Sequence, residues 1–238
     1  MKGSKMLKLI SIILVSYIIG SIPFGAIAAR LSGGVDVTQY GSRKTGAANV
    51  LRTAGKKAAV FTGICDLAKG CAAVLLAKLV VGSTVATLGT MQIDQQTAQA
   101  LAGLFVIVGH NYSVFLKFQG GSGVTSYFGA LLINHLLTGL IGGGVVLSIL
   151  GGTRYFSLGS MIGTTVTFVL MLVQVFLASP PAGLLTLGNQ PVEFAIYTGI
   201  ATALILFAHR GNMRQLINGT ERKLGQRVQV NRPPGSVS

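Results

Sequence analysis

A polar segment at residues 40–52 contains five side chains that can bind an anion. They are Ser42, Arg43, Lys44, Asn49 and Arg52. Glycines beside them allow backbone N–H groups to turn toward an anion, and a guanidinium can bind a phosphate through two parallel hydrogen bonds. Because long apolar runs flank the segment, its partner is either a phosphate-bearing substrate or the headgroups of anionic lipids.

Other polar residues with possible chemistry lie at the ends of apolar runs. A glycine-rich turn at 120–123 precedes one run, and backbone donors at a helix start favour an anion. The alternative is a tight turn between helices. Ser157 opens another run, where serine is also a common N-cap. His209 and Asn212 follow the last run, where a histidine can simply be stabilised by the helix dipole.

Asp66 and Lys69 lie one helical turn apart inside an apolar run. Ionisable residues in a membrane helix are costly and usually face the bundle interior or a site. We expect a structural ion pair that supports the polar loops. A role in transport is the alternative, although the sequence shows no matched pair of broken helices.

The composition is that of an integral membrane protein. Half of the 238 residues are hydrophobic, 10% are charged and the mean hydropathy is +0.67, whereas a soluble domain carries about 25% charged residues. The net charge of +14 lies mainly in loops and termini, as the positive-inside rule predicts, so nucleic acid is not an expected partner. The cysteines and histidines lack metal-site spacing, so we expect no metal site.

The predicted fold is all-α, a polytopic membrane bundle of about seven helices, one of them short. The segments are apolar on all sides, and helices satisfy their own backbone hydrogen bonds in lipid. They cover residues 7–29, 58–82, 98–116, 124–134, 136–152, 157–178 and 192–209. We place a break at Asn134 and His135 because the fourth apolar run is too long for one crossing.

Lysine and arginine residues predict the orientation. They are concentrated in segment 30–57 and after His209, and they are absent from loops 83–97 and 179–191. The basic set is therefore cytoplasmic, with the amino terminus outside and the carboxyl terminus inside. Three amino-terminal lysines do not fit this orientation, because they would lie outside. Alternatively, they indicate a signal peptide cleaved near Ala28.

With this orientation the glycine-rich polar turns share one membrane face. The turns are 40–52, 119–123, 153–160 and 209–212. Distant segments that converge on one membrane surface predict a single interfacial site.

Several motifs occur together along the chain. They are Gly41-Ser42, Gly46-Ala47, Asn49-Val50-Leu51-Arg52, Asp66-Leu67-Ala68-Lys69-Gly70, Gly109-His110, Val114-Phe115, Gly120-Gly121, Gly123-Val124, Arg154-Tyr155-Phe156-Ser157-Leu158, His209-Arg210, Asn212, Leu216 and Gly219. In order and spacing they resemble the bacterial acyl-phosphate:glycerol-3-phosphate acyltransferase family, over about residues 7–224. We therefore predict one membrane domain at 1–224, followed by a polar basic tail at 225–238.

The resemblance implies a seven-helix protein of the bacterial inner membrane, with its site on the cytoplasmic side. Such enzymes transfer a fatty acyl group from acyl phosphate to the 1-hydroxyl of sn-glycerol 3-phosphate, giving lysophosphatidic acid and phosphate without metal, cofactor or coenzyme A thioester. Acyl phosphate is already activated, so no protein nucleophile is required. Membrane lipid is the surrounding partner, and a monomer is compatible with this activity.

The resemblance also implies which residues form the site. The catalytic residues are Ser42, Arg52, His209 and Asn212. The predicted phosphate-binding residues are Ser157, Asn49, Gly120, Gly121, Gly123, Lys44 and Arg43. We expect Arg52 to stabilise charge, Ser42 and Asn212 to bind phosphate oxygens, and His209 to position or polarise a substrate.

The chain departs from the family pattern in its polar turns. The family has Gly-Asn where Arg43 and Lys44 stand, threonine at Ala48, lysine at Ser122 and glutamate at Gly211. Loss of the turn lysine removes a phosphate contact. We hypothesise that Arg43 or Lys44 supplies this charge from the other loop. The alternative is a relative that binds substrate without catalysis.

Overall fold

The structure is a computed structural model that describes residues 2–81, 84–88, 91–177 and 192–230. Its helices are α1 (Lys2–Ser21), α2 (Phe24–Leu31), α3 (Ala47–Thr53), α4 (Lys56–Val80), α5 (Gln95–Asn111), α6 (Val124–Asn134), α7 (Leu136–Thr153), α8 (Phe156–Leu177), α9 (Val192–Ala208) and α10 (Arg210–Ile217). A short 3₁₀ helix covers Val114–Leu116, and two strands, β1 (Thr84–Leu88) and β2 (Met91–Asp94), precede α5.

Each predicted apolar segment contains a helix, and the predicted break is confirmed between α6 and α7. Within the described ranges, four helical segments are long and apolar enough to span a membrane. They are Met6–Leu31, Lys56–Val80, Leu136–Thr153 and Phe156–Leu177. The pair α9 and α10 adds a fifth span if it is taken as one unit bent by 58°. The molecule is therefore a multi-pass helical membrane protein, and the number seven stays a prediction.

The loop between α4 and α5 contains a short hairpin that the sequence analysis did not predict. β1 pairs antiparallel with β2, with a register irregularity between Thr84 and Ala86. The strand segments are too short for a membrane helix, so hydropathy assigned them to a loop, whereas β-branched residues in them favour a hairpin. The other uncharged loop, 179–191, lies outside the described residues.

Small residues bring together the helices that carry the polar turns. A Cβ on Gly70 of α4 would lie 2.2 Å from the Ser126 carbonyl oxygen, and one on Gly129 of α6 would lie 2.1 Å from that of Leu67. Such close backbone approach is typical of membrane helices, whose association depends on packing rather than on the hydrophobic effect. Large apolar side chains are exposed on the outer surface, where lipid would surround them.

The chain after α10 folds back over the end of the bundle that carries the polar turns. We call residues 218–230 the strap. The backbone N–H of Leu224 donates to the Arg154 carbonyl and that of Val228 donates to the Arg52 carbonyl. The guanidinium of Arg154 also donates to the Leu224 carbonyl at 3.0 Å. The boundary predicted at residue 224 thus lies inside the strap, and both sides of it pack on the same surface.

Candidate active site

The four polar turns meet in one pocket at this end of the bundle, as the sequence predicted. We call it the inner pocket. Its polar lining residues are Ser42, Lys44, Asn49, Arg52, Asp66, His110, Ser122, Thr125, Ser157, His209, Asn212 and Glu221. A wider outer cavity adjoins the inner pocket and shares several of its lining residues. The outer cavity is also lined by Arg43, Arg210, Gly211, Arg214 and Arg222. All four predicted catalytic residues therefore line one pocket.

The first polar loop is held by Asn49, which is buried. Its amide nitrogen lies within hydrogen-bond distance of three carbonyl oxygens, those of Val37, Tyr40 and Lys44, at 2.9–3.1 Å. Its amide oxygen accepts from the Ser42 N–H at 3.0 Å. Asn49 also lines the inner pocket, and its phosphate-binding role stays a prediction. The loop backbone already uses both ends of the amide, so this residue shapes the loop that presents Ser42 and Lys44.

The two basic substitutions in this loop point to different places. Arg43 adopts a left-handed backbone conformation (φ 58°), which a glycine accommodates without cost, and its exposed side chain lines the outer cavity. Lys44 lines the inner pocket together with Ser122. Its ammonium group donates to the Ala208 carbonyl and lies 3.5 Å from Asn212 Oδ1. Of the two candidates for the missing turn lysine, the geometry favours Lys44.

Arg52 and Ser157 bring buried donors to the inner pocket. One terminal nitrogen of Arg52 donates to the Arg222 carbonyl at 2.7 Å, and it lies 3.9 Å from Glu221 Oε1. Among the described residues, neither Arg52 Nε nor Ser157 Oγ has a hydrogen-bond partner, although both atoms are buried. Buried polar groups are normally satisfied. Two unsatisfied donors in one pocket therefore fit an oxygen-rich anion such as phosphate.

Burial also affects the charges of the basic side chains in this pocket. It lowers the pKa of Lys44 to about 8, with Glu221 opposing the shift and Arg210 adding to it. Burial likewise lowers the pKa of Arg52 while Glu221 opposes the change, and a guanidinium stays charged at neutral pH. The inner pocket thus holds one permanent cation and one whose charge depends on pH in the slightly alkaline range.

His209 lies at the bend between α9 and α10 and is buried in the inner pocket. Its Nδ1 is 2.8 Å from the Ile205 carbonyl oxygen. Because a carbonyl can only accept, this contact assigns the proton to Nδ1 and leaves Nε2 of the neutral ring as an acceptor. The ring can therefore accept a hydrogen bond from a substrate hydroxyl.

Glu221 is a lining residue that sequence reasoning missed. Its carboxylate accepts from the Asn212 amide through both oxygens, at 2.9 and 3.0 Å. Glu221 is the sole acidic residue in the sequence after His209, among many basic ones, and that isolation was the available signal. In the strap it sets the orientation of Asn212, whose amide oxygen then faces Lys44.

The glycine turn packs beside the inner pocket and contributes Ser122 to it. The Gly120 carbonyl accepts from the Thr45 N–H at 3.3 Å, which joins this turn to the first loop. The Gly121 N–H donates to the His110 carbonyl at 2.9 Å. That N–H is used within the protein, and the phosphate-binding role of Gly121 stays a prediction. Gly123 adopts a left-handed conformation (φ 79°) that begins α6.

Comparisons with known proteins show which family the chain resembles over most of its length. The glycerol-3-phosphate acyltransferase family model matches residues 10–219. The chain is 38% identical to glycerol-3-phosphate acyltransferase 3 of Dehalococcoides mccartyi over 220 residues, which cover 92% of this chain and 97% of the relative. It is 36% identical to the glycerol-3-phosphate acyltransferase of a Thermoanaerobacter species over 217 residues, which cover 91% and 96%.

Two solved structures share the fold. The crystal structure of PlsY (YgiH), an integral membrane glycerol 3-phosphate acyltransferase, in its glycerol 3-phosphate form has a TM-score of 0.76 at 30% identity, covering 91% of this chain and 96% of that chain. The lysophosphatidic acid form has a TM-score of 0.74 at the same identity, covering 92% and 96%. With the family match over most of its length, the chain belongs to the glycerol-3-phosphate acyltransferase family.

Proposed function

We propose that this protein transfers a fatty acyl group from acyl phosphate to the 1-hydroxyl of sn-glycerol 3-phosphate, giving lysophosphatidic acid and inorganic phosphate. The observation that carries the proposal is the pair of buried donors, Arg52 Nε and Ser157 Oγ, which have no partner among the described residues and share one pocket with Lys44. Relatives named for this acyl transfer, and solved structures of a glycerol 3-phosphate form and a lysophosphatidic acid form, support it.

The pocket contains a suitable group for each step of this reaction. The 1-hydroxyl oxygen attacks the acyl carbon, the bond from that carbon to the phosphate oxygen breaks, and phosphate leaves. Arg52, Ser157 and Lys44 stabilise phosphate oxygens through charge-assisted hydrogen bonds. His209 Nε2 accepts the hydroxyl hydrogen bond and orients the nucleophile, and the proton passes to a phosphate oxygen. Ser42, in the first polar loop, makes a further hydrogen bond to phosphate.

The membrane arrangement belongs to the same proposal. Seven segments cross or enter a bacterial inner membrane, and the pocket faces the cytoplasm, where the basic loops lie. The acyl chain lies in a groove between helices that is open to lipid. This arrangement lets a water-soluble acceptor enter from the cytoplasm while the donor diffuses in the bilayer.

The decisive experiment uses the purified protein in nanodiscs with palmitoyl phosphate and radiolabelled glycerol 3-phosphate. We expect labelled lysophosphatidic acid and one phosphate released per acyl group transferred, with palmitoyl-coenzyme A inactive as donor. Heat-denatured protein is the control. A protein that binds glycerol 3-phosphate but transfers no acyl group would instead be the non-catalytic relative.

A further inference from the structure

A buried cluster of ionisable residues lies against the glycine turn, and two of its members, Asp66 and His110, also line the inner pocket. Lys69 Nζ is 2.9 Å from Asp66 Oδ1, which confirms the expected ion pair. The same carboxylate oxygen lies 3.5 Å from His110 Nδ1, a partner that the sequence analysis did not expect. All three side chains are buried. Lys69 also donates to the Ile22 carbonyl at 3.1 Å, at the break between α1 and α2.

His110 connects this cluster to the turn. A Cβ on Gly121 would lie 2.0 Å from His110 Nε2, so the imidazole ring occupies the space that a side chain at 121 would need. A Cβ on Gly120 would lie 2.1 Å from the His110 carbonyl oxygen, which accepts the Gly121 N–H. Both the ring and the backbone carbonyl of His110 therefore pack against the glycine turn.

The cluster also fixes the start of the next helix. Ser126 Oγ donates to the Asp66 carbonyl at 3.0 Å and lies 3.4 Å from His110 Nδ1. Ser126 is in the first turn of α6, which the glycine turn begins. Asp66 thus contacts the His110 ring through its carboxylate and Ser126 through its carbonyl, and these two residues flank the turn.

We propose that Asp66 and His110 are positioning residues of the acyl transfer, which set the depth at which the glycine turn and Ser122 meet the substrate phosphate. This inference rests on the proposed function. Asp66 holds the imidazole in one orientation, and the imidazole in turn holds the Gly120–Gly121 backbone. A buried ion pair is weak evidence for a contribution to stability. The close fit at Gly121 instead indicates that the cluster determines the geometry of the site.

The test is the variant His110→Gln, which leaves the Asp66–Lys69 pair in place. We expect the KM for glycerol 3-phosphate and its equilibrium Kd to rise by about tenfold, because a loosened turn loses phosphate contacts, while kcat falls by only about threefold. The control is Tyr127→Phe, which removes a buried hydrogen bond to Thr167 away from the pocket. It should lower the melting temperature and leave KM unchanged.

A second variant tests the coupling. Gly121→Ala pushes a methyl group into the imidazole and should raise the KM on its own. In the His110→Gln background its effect should be severalfold smaller, because the flexible side chain moves away. Strictly additive effects, or a His110→Gln protein with a lower melting temperature and unchanged KM and Kd, would overturn the inference.

The inference can still be tested if the His110→Gln variant does not accumulate or if the unmodified protein is inactive. If His110→Gln fails to accumulate in the membrane, Ser126→Ala removes only the hydroxyl between Asp66 and His110, and it should weaken glycerol 3-phosphate binding severalfold; unchanged binding would refute the inference. If the unmodified protein transfers no acyl group, the proposed function fails. The Kd for glycerol 3-phosphate still reports on the turn, and a His110→Gln protein with the unmodified Kd then refutes the positioning role separately.

Discussion

At the residue scale, the site depends on donors that the protein leaves unpaired. Arg52 and Ser157 hold buried polar atoms without partners among the described residues, and both face the inner pocket. Leaving such atoms unsatisfied is costly in a folded protein. A phosphate oxygen that accepts from these donors would offset that cost, so the pocket suits an anion.

Arg52→Ala should abolish most of the acyl transfer. Removing a charge-assisted hydrogen bond to phosphate costs about 1.5–3 kcal/mol, or about 10- to 150-fold in kcat/KM. Lys56→Ala, at an exposed lysine nearby in sequence, is the matched control and should retain activity. Steady-state kinetics with palmitoyl phosphate measures both variants. Unchanged kcat/KM for Arg52→Ala would remove it from the catalytic set.

The KM for glycerol 3-phosphate should depend on pH through Lys44. Burial lowers the pKa of Lys44 to about 8, so its charge is lost as the pH rises through that value. The substrate phosphate is already a dianion above about pH 7, because its second pKa is about 6. We therefore expect a constant KM near pH 7 and a rise above pH 8 that levels off at about tenfold once Lys44 is neutral. Kinetics from pH 7 to 9.5 measures it.

Two variants check the assignment of that pH dependence. Lys44→Arg keeps its charge across this range and should flatten the profile. Glu221→Gln removes the anion that raises the pKa of Lys44, so the rise in KM should begin at lower pH. A profile that is the same in all three proteins would exclude Lys44 as its source.

The hypothesis that Lys44 replaces the missing turn lysine leads to a separate prediction. Lys44 and Ser122 line the same pocket, so a cation at either position can reach the same phosphate. Lys44→Asn alone should lower kcat/KM by about tenfold or more, and Ser122→Lys should restore part of it in the double variant. Arg43→Gly is the control, because Arg43 lines the outer cavity but not the inner pocket. It should lower kcat/KM less than Lys44→Asn does. No rescue by Ser122→Lys would contradict the relocation.

At the element scale, the site depends on how closely α4, α5 and α6 pack. Asp66, His110 and Ser126, which contact one another, lie in α4, α5 and α6 respectively. Gly70 and Gly129 allow α4 and α6 to approach until their backbones touch. His209 at the bend and Glu221 of the strap line the same pocket. A bulkier residue at the glycine crossing should therefore affect both stability and the site.

Gly70→Ala should destabilise the bundle. Its Cβ would lie 2.2 Å from the Ser126 carbonyl oxygen, a backbone atom that cannot move aside cheaply. Overpacking of this kind costs about 1–3 kcal/mol. Gly144→Ala in α7 is the matched control, because no neighbouring atom lies within 4 Å of its Cβ. Thermal melting in detergent should separate the two, and equal melting temperatures would show that the crossing adjusts freely.

At the scale of the whole molecule, the distribution of lysine and arginine predicts the membrane orientation. Cysteine replacements in a protein without Cys65 and Cys71 should establish it. Gln96→Cys lies near the start of α5, at an exposed position beside the Asp94 cap, and it should react with an impermeant thiol reagent added outside the cell. Lys56→Cys should react only after the membrane is opened. Reversed labelling would place the polar pocket outside and favour the amino-terminal lysines as the orientation signal.

The sequence by itself determined the membrane class, the positions of the apolar helices and the break at Asn134. These properties depend on local hydropathy and length, which short stretches of sequence contain in full. The order and spacing of the polar motifs also predicted that Ser42, Arg52, Ser157, His209 and Asn212 share one site. The hairpin was missed because its strands are too short to differ from a loop in hydropathy.

Only the tertiary structure decided what each polar side chain contacts. It separated Lys44 from its neighbour Arg43, assigned Asn49 to the loop, and brought Glu221 from the strap to Asn212. It also placed His110 between Asp66 and Gly121. The physical reason is that hydrogen bonds act over about 3 Å. Which groups come that close depends on how distant helices pack and where the backbone turns, and no local pattern contains that information.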